Sequence, residues 1–278
     1  MVKHFPYYSK RKTDGAEVKS PMVHREARRR EMLALLQRTG FITLEQLAAR
    51  FGVTLQTIRR DANEMDGGGL LRRYHGGVGR LGSTENTAYD IRRGHEIAAK
   101  RRIAHLVAEH VPDGSSLFIN IGTTTEAVAR ALLVRERLRV ITNNLNVAMI
   151  LREKPDFEVL VTGGQVRHMD GGIIGGQAVD FISQFRADIG IIGISGIEPD
   201  GTLMDFDYRE VRVARAILDH ARCTYLAADH SKFGRNAMVR LGHVEELAAL
   251  FTDAPPPEPC HGAILAAGIA LHIAADQA

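Results

Sequence analysis

Apolar residues in the first eighty positions recur at helical spacing, in three blocks separated by glycine. Met32, Leu33 and Leu36 give an inward face to a helix over Glu26–Thr39, and Gly40 stops it. Leu44, Leu47, Ala48 and Phe51 fall at i, i+3, i+4 and i+7, one continuous stripe. Thr43, with Gln46 three residues on, has the form of a capping box for this second helix, and Gly52 ends it. Thr54 caps a third helix that runs to about Met65. Its buried face is Ile58, Ala62 and Met65, while Gln56, Arg59, Arg60 and Asn63 repeat on the opposite side. After Gly67-Gly68-Gly69 the period changes, and Leu70 to Val78 reads as a short basic hairpin carrying Arg72, Arg73 and His75. Helix, glycine-containing turn, helix and hairpin together are the arrangement of a winged helix-turn-helix.

A polar stretch from about Thr84 to Arg93 follows. Beyond it, strand-like runs at Ser116–Asn120, Arg139–Thr142, Phe157–Thr162, Asp188–Ser195, Thr224–Ala228 and Leu250–Thr252 alternate with helices. Those helices are expected near Glu96–His110, Thr124–Leu133, Leu145–Leu151 and Tyr208–His220. Alternation of buried strands with helices predicts α/β architecture: a mostly parallel sheet covered on both faces. The expected organisation is therefore a disordered basic extension over 1–22, a winged helix-turn-helix over 23–80, a linker over 81–95 and an α/β domain over 96–278.

Composition sharpens this division. The chain has 278 residues, 45% hydrophobic and 25% charged, a length that suits two ordinary globular domains. No apolar run approaches the ~20 residues that span a bilayer, so no membrane role is expected. The opening stretch MVKHFPYYSKRKTDG lacks the apolar segment of a signal peptide. Two distant cysteines, Cys223 and Cys260, suit reduced thiols in a cytoplasm. The net charge of +3 conceals an asymmetry: residues 1–94 carry 18 basic against 10 acidic side chains, and residues 95–278 carry 18 against 23. A basic head on an acidic body points to a polyanion partner for the head alone. None of the twelve histidines has ligand spacing and no Cys-x-x-Cys occurs, so neither metal nor cofactor is expected.

Particular stretches go further. Thr57-Ile58-Arg59-Arg60-Asp61, Leu70-Leu71-Arg72-Arg73 and His75-Gly76-Gly77 resemble the DNA-binding signature of DeoR-type repressors. Ile121-Gly122-Thr123-Thr124-Thr125, Val140-Ile141-Thr142-Asn143-Asn144, Thr162-Gly163-Gly164 and Asp229-His230-Ser231-Lys232-Phe233-Gly234 resemble their sensor domain. The resemblance spans roughly residues 24 to 260. Longer matches, among them Asp170 to Gly175 and Asp180 to Arg186, are nearest to the glycerol-phosphate-responsive members. The resemblance implies a Rossmann-like sensor of the sugar-phosphate isomerase/CoA-transferase type. It also implies repression of sugar- or polyol-catabolic operons, with glycerol 3-phosphate or a related phosphorylated metabolite as effector, and a homo-oligomer, dimer or tetramer. Asn120 stands where the family usually has Asp, and Ala62 where it usually has Leu.

Each candidate residue also has a plainer role. Operator DNA needs cations for phosphates and side chains for base edges. Gln56 suits adenine, Arg59 or Arg60 suits guanine, and Thr54 and Thr57 suit a phosphate or a thymine methyl. Alternatively, the arginines merely solvate a helix, with Asp61 or Glu64 as partners. Gly122–Thr125, between strand and helix, offers backbone N–H groups to an anion. Equally, Thr123 and Glu126 form a capping box that needs no ligand. Lys232 follows a strand end at Asp229, on the carboxyl rim where open α/β sheets bind ligands. Thr142, Asn143 and Asn144 share that rim, and Arg167 and Arg212 are further anion candidates. Asp207 and Glu210 either meet hydroxyls or cap the helix near Tyr208. The Gly163-Gly164 pair joins the effector set through the resemblance. The rival class is an isomerase-like enzyme. The isomerases carry a carboxylate after the fourth strand, where this chain reads Ser195-Gly196-Ile197-Glu198.

Overall fold

A computed structural model describes residues 21–39, 41–74, 77–79, 89–94 and 96–274. The expected extension over 1–22 lies outside the described residues apart from its last two. The first helix, α1, is Pro21–Thr39, followed by strand β1 at Phe41–Thr43. Helix α2 is Leu44–Phe51 and α3 is Leu55–Gly67. The capping box forms as expected: the Gln46 N–H donates to Thr43 Oγ1, and the Thr43 N–H donates to Gln46 Oε1, each at 3.1 Å. Gly52 stops α2 at φ 62°, a left-handed conformation that glycine adopts without a Cβ penalty. Strands β2 (Arg72–Tyr74) and β3 (Gly77–Gly79) form the wing. The hairpin becomes a three-stranded antiparallel sheet in the order β1-β3-β2, because Ile42 pairs with Val78. Strand β1 has no counterpart in the periodicity, since three residues are too few to show alternation. Met32, Leu36, Leu47, Ile58, Ala62, Met65 and Leu71 form the buried core.

The second unit begins with two helices, α4 (Tyr89–Gly94) and α5 (Ile97–Glu109). Strand β4 (Ser116–Ile119), α6 (Thr123–Ala131), β5 (Arg139–Thr142), α7 (Leu145–Leu151) and β6 (Glu158–Val161) are two right-to-edge β-α-β steps. A short hairpin, β7 (Gln165–Val166) with β8 (Ile173–Ile174), leads to α8 (Gly176–Ser183) and then β9 (Ala187–Ile192). Next come β10 (Gly196–Ile197), β11 (Thr202–Asp205), α9 (Tyr208–His220), β12 (Ala221–Ala227) and β13 (Val239–His243). The unit ends with β14 (Ala249–Thr252), α10 (Cys260–Ala267) and β15 (Ala270–Ile273). Seven strands form one fully parallel sheet in the order β15-β14-β12-β9-β4-β5-β6. Strands β10, β11 and β13 make a small antiparallel sheet outside it, which the sequence pattern did not indicate because two of them are short and irregular.

Two cores sandwich the sheet. Phe118, Ile192 and Leu226 face one, with α8, α9 and α10. Leu117, Ile119, Ile189 and Ile191 face the other, with α5, α6 and α7. Both faces being dry, the strands read as apolar runs rather than alternations. From β4 the chain winds outward through β5 and β6, then returns to β9 on the other side of β4. The strand order therefore reverses between β4 and β9, and the crevice at their carboxyl ends is the topological switch point where such sheets bind ligands.

Candidate functional sites

Helix α3 presents its polar face to solvent as the spacing requires. Ile58, Ala62 and Met65 are buried, whereas Thr54, Gln56, Arg59, Arg60 and Asn63 are exposed and Thr57 is half-buried. Thr54 caps the helix: its Oγ1 accepts the Thr57 N–H at 3.3 Å and lies 2.9 Å from the Thr57 hydroxyl. Arg60 is 77% exposed and makes only a 3.4 Å pair with Glu64, one turn away. The Arg73 guanidinium donates to Asn63 Oδ1 at 2.5 Å, and its N–H donates to Asp66, so the wing is tied to the end of the reading helix. The side chain of Arg72 on β2 and the whole of His75 lie outside the described residues.

Asp61 departs from the expectation that it partners Arg59 or Arg60. It is 1% exposed and faces α1, where Arg25 Nε, Arg28 Nη2 and Arg29 Nε approach its carboxylate at 3.1, 2.5 and 3.3 Å. Arg25 and Arg29 also reach Glu64. The spacing carried the signal, because 58, 61, 62 and 65 are one helical stripe. Asp61 thus occupies a core position and is neutralised by three cations of the neighbouring helix.

In the second unit, the turn after β4 holds the anion-ready loop. Gly122 is the N-cap of α6 at φ 144°, and a Cβ there would sit 3.3 Å from Thr125 Oγ1. Thr125 Oγ1 donates to the carbonyls of Asn120 and Gly122, both at 2.8 Å, which fixes the loop. No side chain caps α6, so the first-turn N–H groups of Thr123 and Thr124 point outward without an intrahelical partner. The Thr123–Glu126 capping box does not form. Instead the buried Glu126 carboxylate accepts the Tyr89 hydroxyl at 2.8 and 2.9 Å and the Asn146 side-chain amide at 3.1 Å.

Around this loop, buried polar atoms lack partners among the described residues: Asn120 Oδ1, Asn143 Oδ1, Asn144 Nδ2, Thr162 Oγ1, Asp229 Oδ2 and Thr252 Oγ1. All six end strands of the parallel sheet or lie within two residues of a strand end, at its carboxyl edge. Native proteins rarely leave such atoms unsatisfied, and each one costs on the order of 1–3 kcal/mol. Their other atoms are well anchored. Thr142 Oγ1 donates to the Ile119 carbonyl at 2.7 Å, Asn143 Nδ2 donates to Ile173 O at 3.1 Å, and Asn144 Oδ1 caps α7.

Charges converge on the same rim. The carboxylate of Asp229 is held at about 2: burial would raise it, but Lys232, Ser231 and Lys100 outweigh burial. Burial brings the Lys232 ammonium down to about 8 against the opposing pull of Asp229, with Arg235, Lys100 and Arg92 adding repulsion. Arg167 bridges Asp170, Asp207 and Glu210, its Nη1 lying 3.3 and 2.9 Å from the last two. Burial, then the nearby Asp205, raises the Glu210 carboxyl to about 7 despite Arg167. Asp207 caps α9 through the Arg209 N–H at 2.9 Å, the plainer of its two expected roles. Arg212 is exposed on α9. Gly164 is held at φ 137° by packing, since a Cβ would lie 2.7 Å from Ile174 O, and Gly163 is exposed. Among the described residues no cluster suits a metal, and no helix is long and apolar enough to cross a membrane. Sequence reasoning did not single out Tyr89, Lys100 or Asp170: Tyr89 has no periodic or motif signal, Lys100 shares the inward 100–103–104–107 stripe of α5, and Asp170 opens one of the stretches that carry the resemblance.

Both units match known protein families. A family model described as a DeoR-like helix-turn-helix domain matches residues 28–84, and one described as a DeoR C terminal sensor domain matches residues 95–254. The glycerol-3-phosphate regulon repressor of Escherichia coli (strain K12) is 52% identical over 226 residues, covering 81% of this chain and 90% of that protein. Its namesake in Haemophilus influenzae is 50% identical over 229 residues, covering 82% and 89%. The HTH-type transcriptional repressor CsqR of E. coli is 45% identical over 227 residues, covering 82% and 87%.

Proposed function

Since the chain belongs to the DeoR family of transcriptional regulators, we propose that it represses glycerol-catabolic genes and leaves its operator when glycerol 3-phosphate occupies the sensor. It is a regulator, and its relatives are repressors rather than isomerase-like enzymes. The observation that carries the choice of metabolite is the 52% identity, across head and sensor alike, to a repressor named for glycerol 3-phosphate. The rim supports it chemically. A phosphate at the Gly122–Thr125 loop would take the free N–H groups of α6 and the positive end of its dipole. Lys232 would add a charge-assisted hydrogen bond. The unpaired Asn143, Asn144 and Thr162 atoms suit the hydroxyls of a polyol. The protein acts in the cytoplasm as a homodimer or tetramer, its paired heads laying α3 into successive major grooves.

Effector and operator then oppose each other by one coupling free energy, typically about 1–3 kcal/mol. A gel-shift assay on the upstream regions of glycerol-catabolic genes tests the reading. Glycerol 3-phosphate releases the DNA; glycerol, with no anion for the loop, does not. Thr124→Asp, which places a carboxylate at the loop, retains operator and no longer responds. Release by an unrelated phosphate alone would overturn the choice of metabolite, and binding of no phosphorylated compound would overturn the sensor reading.

A further inference from the structure

Helix α4 is the last described element on the way back from the sensor towards the head, and it is anchored in the walls of the effector rim. Tyr89 is 9% exposed, and its hydroxyl donates to the Glu126 carboxylate, one turn into the helix that starts at the anion loop. The Asn146 amide, two residues past Asn144, donates to the same hydroxyl at 3.1 Å and to the Asp170 carbonyl at 2.9 Å. Arg92 lies 3.9 Å from Asp170, and the buried Lys100 ammonium donates to the Arg92 carbonyl. The turn bearing Asp170 is itself pressed on the loop, since a Cβ on Gly172 would meet Ile121 Cγ2 at 2.9 Å. Three separate walls of the rim, at Glu126, Asn146 and Asp170, therefore hold one short helix.

We propose that the effector site includes this connecting segment: Arg92 is a phosphate-side cation of the site, and Tyr89 is the positioning residue through which occupancy reaches the DNA-binding head. The inference rests on the effector reading above. Arg92 already acts on Asp205, Glu210, Lys100 and Lys232, the charges that surround the rim. A dianionic phosphate competes with Asp170 for it. Any shift of Arg92 moves α4, and the Tyr89–Glu126 bond ties that shift to the helix whose N-terminus holds the phosphate.

Tyr89→Phe keeps the ring and removes the hydroxyl, so it separates coupling from packing. Operator affinity is measured for the full chain with and without saturating glycerol 3-phosphate. In the wild-type protein the ratio falls in the range of about 5–150-fold typical of allosteric coupling. For Tyr89→Phe, effector-free operator affinity stays within about twofold of wild type. Its ratio collapses towards one while calorimetry still detects effector binding. Arg92→Gln, which keeps a polar side chain at this half-buried position, weakens glycerol 3-phosphate itself at least tenfold and serves if the tyrosine variant fails to fold. A wild-type ratio retained in Tyr89→Phe, or unchanged effector affinity in Arg92→Gln, overturns the inference alone. A wild-type protein released by no phosphorylated metabolite overturns the effector reading and the inference with it.

Discussion

The head and the sensor treat their buried polar groups in opposite ways. Asp61, inside the head, is surrounded by Arg25, Arg28 and Arg29, so the one buried charge among the head's described residues is matched by the fold itself. The sensor leaves six buried atoms unmatched at the carboxyl edge of its sheet, and carries beside them a lysine lowered to about 8. A matched buried charge fixes one geometry: it sets α1 against α3 and so aims the reading face. Unmatched atoms do the reverse, keeping donors and acceptors ready for a molecule that arrives from solution. The cations differ too: those around Asp61 are all arginines, charged at any physiological pH, whereas the rim also carries a lysine near its titration point.

The largest effect that tests this contrast is Asp61→Ala. Removing one partner of a buried charge cluster costs about 3–5 kcal/mol, because Arg28 is left half-buried without its carboxylate. Chemical denaturation should show the head unfolding early while glycerol 3-phosphate still binds the sensor. A loss of both activities together would mean the two units are not independent in the way the contrast requires.

A smaller effect follows from pH. Below about 8 Lys232 is protonated; as pH rises through that value it loses its charge while the effector phosphate stays dianionic. Effector affinity in the free protein should fall about tenfold between pH 7 and 9, since about a tenth of the lysine remains charged at the upper end. Asp229, Arg235, Lys100 and Arg92 face this lysine, and none of the arginines titrates in the window. Operator affinity without effector should stay flat, because the cations proposed to contact DNA are arginines, which do not titrate in this range. Equal pH dependence of both would erase the distinction.

The smallest effect separates matched from unmatched hydroxyls within the sensor. Thr125→Val removes a donor to two carbonyls and should cost about 1–3 kcal/mol of stability. Thr162→Val removes a buried hydroxyl without a partner and should leave stability within about 0.5 kcal/mol of wild type, or raise it. Thermal melts decide. Equal destabilisation by the two variants would show that Thr162 is already satisfied and not held for a ligand.

Much of this contrast was legible in the sequence, for reasons particular to each part. Helix α3 and its polar face were visible because Gln56, Arg59, Arg60 and Asn63 share a spacing that only one helical face provides, and Thr54 marks its start. The parallel sheet was visible because strands dry on both faces leave uninterrupted apolar runs. Asp61 entered only through the plainer reading, as one of two possible partners of surface arginines, although its place in the 58–61–62–65 stripe marks it as inward. A Thr123–Glu126 capping box was the plainer of two readings that local spacing allows, but Gly122 at φ 144° takes the N-cap and Tyr89 binds the carboxylate. That contact joins residues 37 positions apart, and a lone tyrosine in a polar stretch gives no period from which to infer it. The unpaired rim atoms share the same limit: residue type was readable, but partner loss exists only once strands from five places along the chain are set side by side.

The central claim, that one rim binds a phosphorylated polyol and thereby works against the DNA-binding head, is tested most directly by reciprocity. Calorimetry of glycerol 3-phosphate with the free protein, and again with the protein saturated by operator DNA, gives two dissociation constants. Operator affinity measured with and without the effector gives two more. The account requires glycerol 3-phosphate to bind more weakly to the operator complex, by the same factor by which it weakens operator binding. Identical affinity for free and operator-bound protein would contradict it.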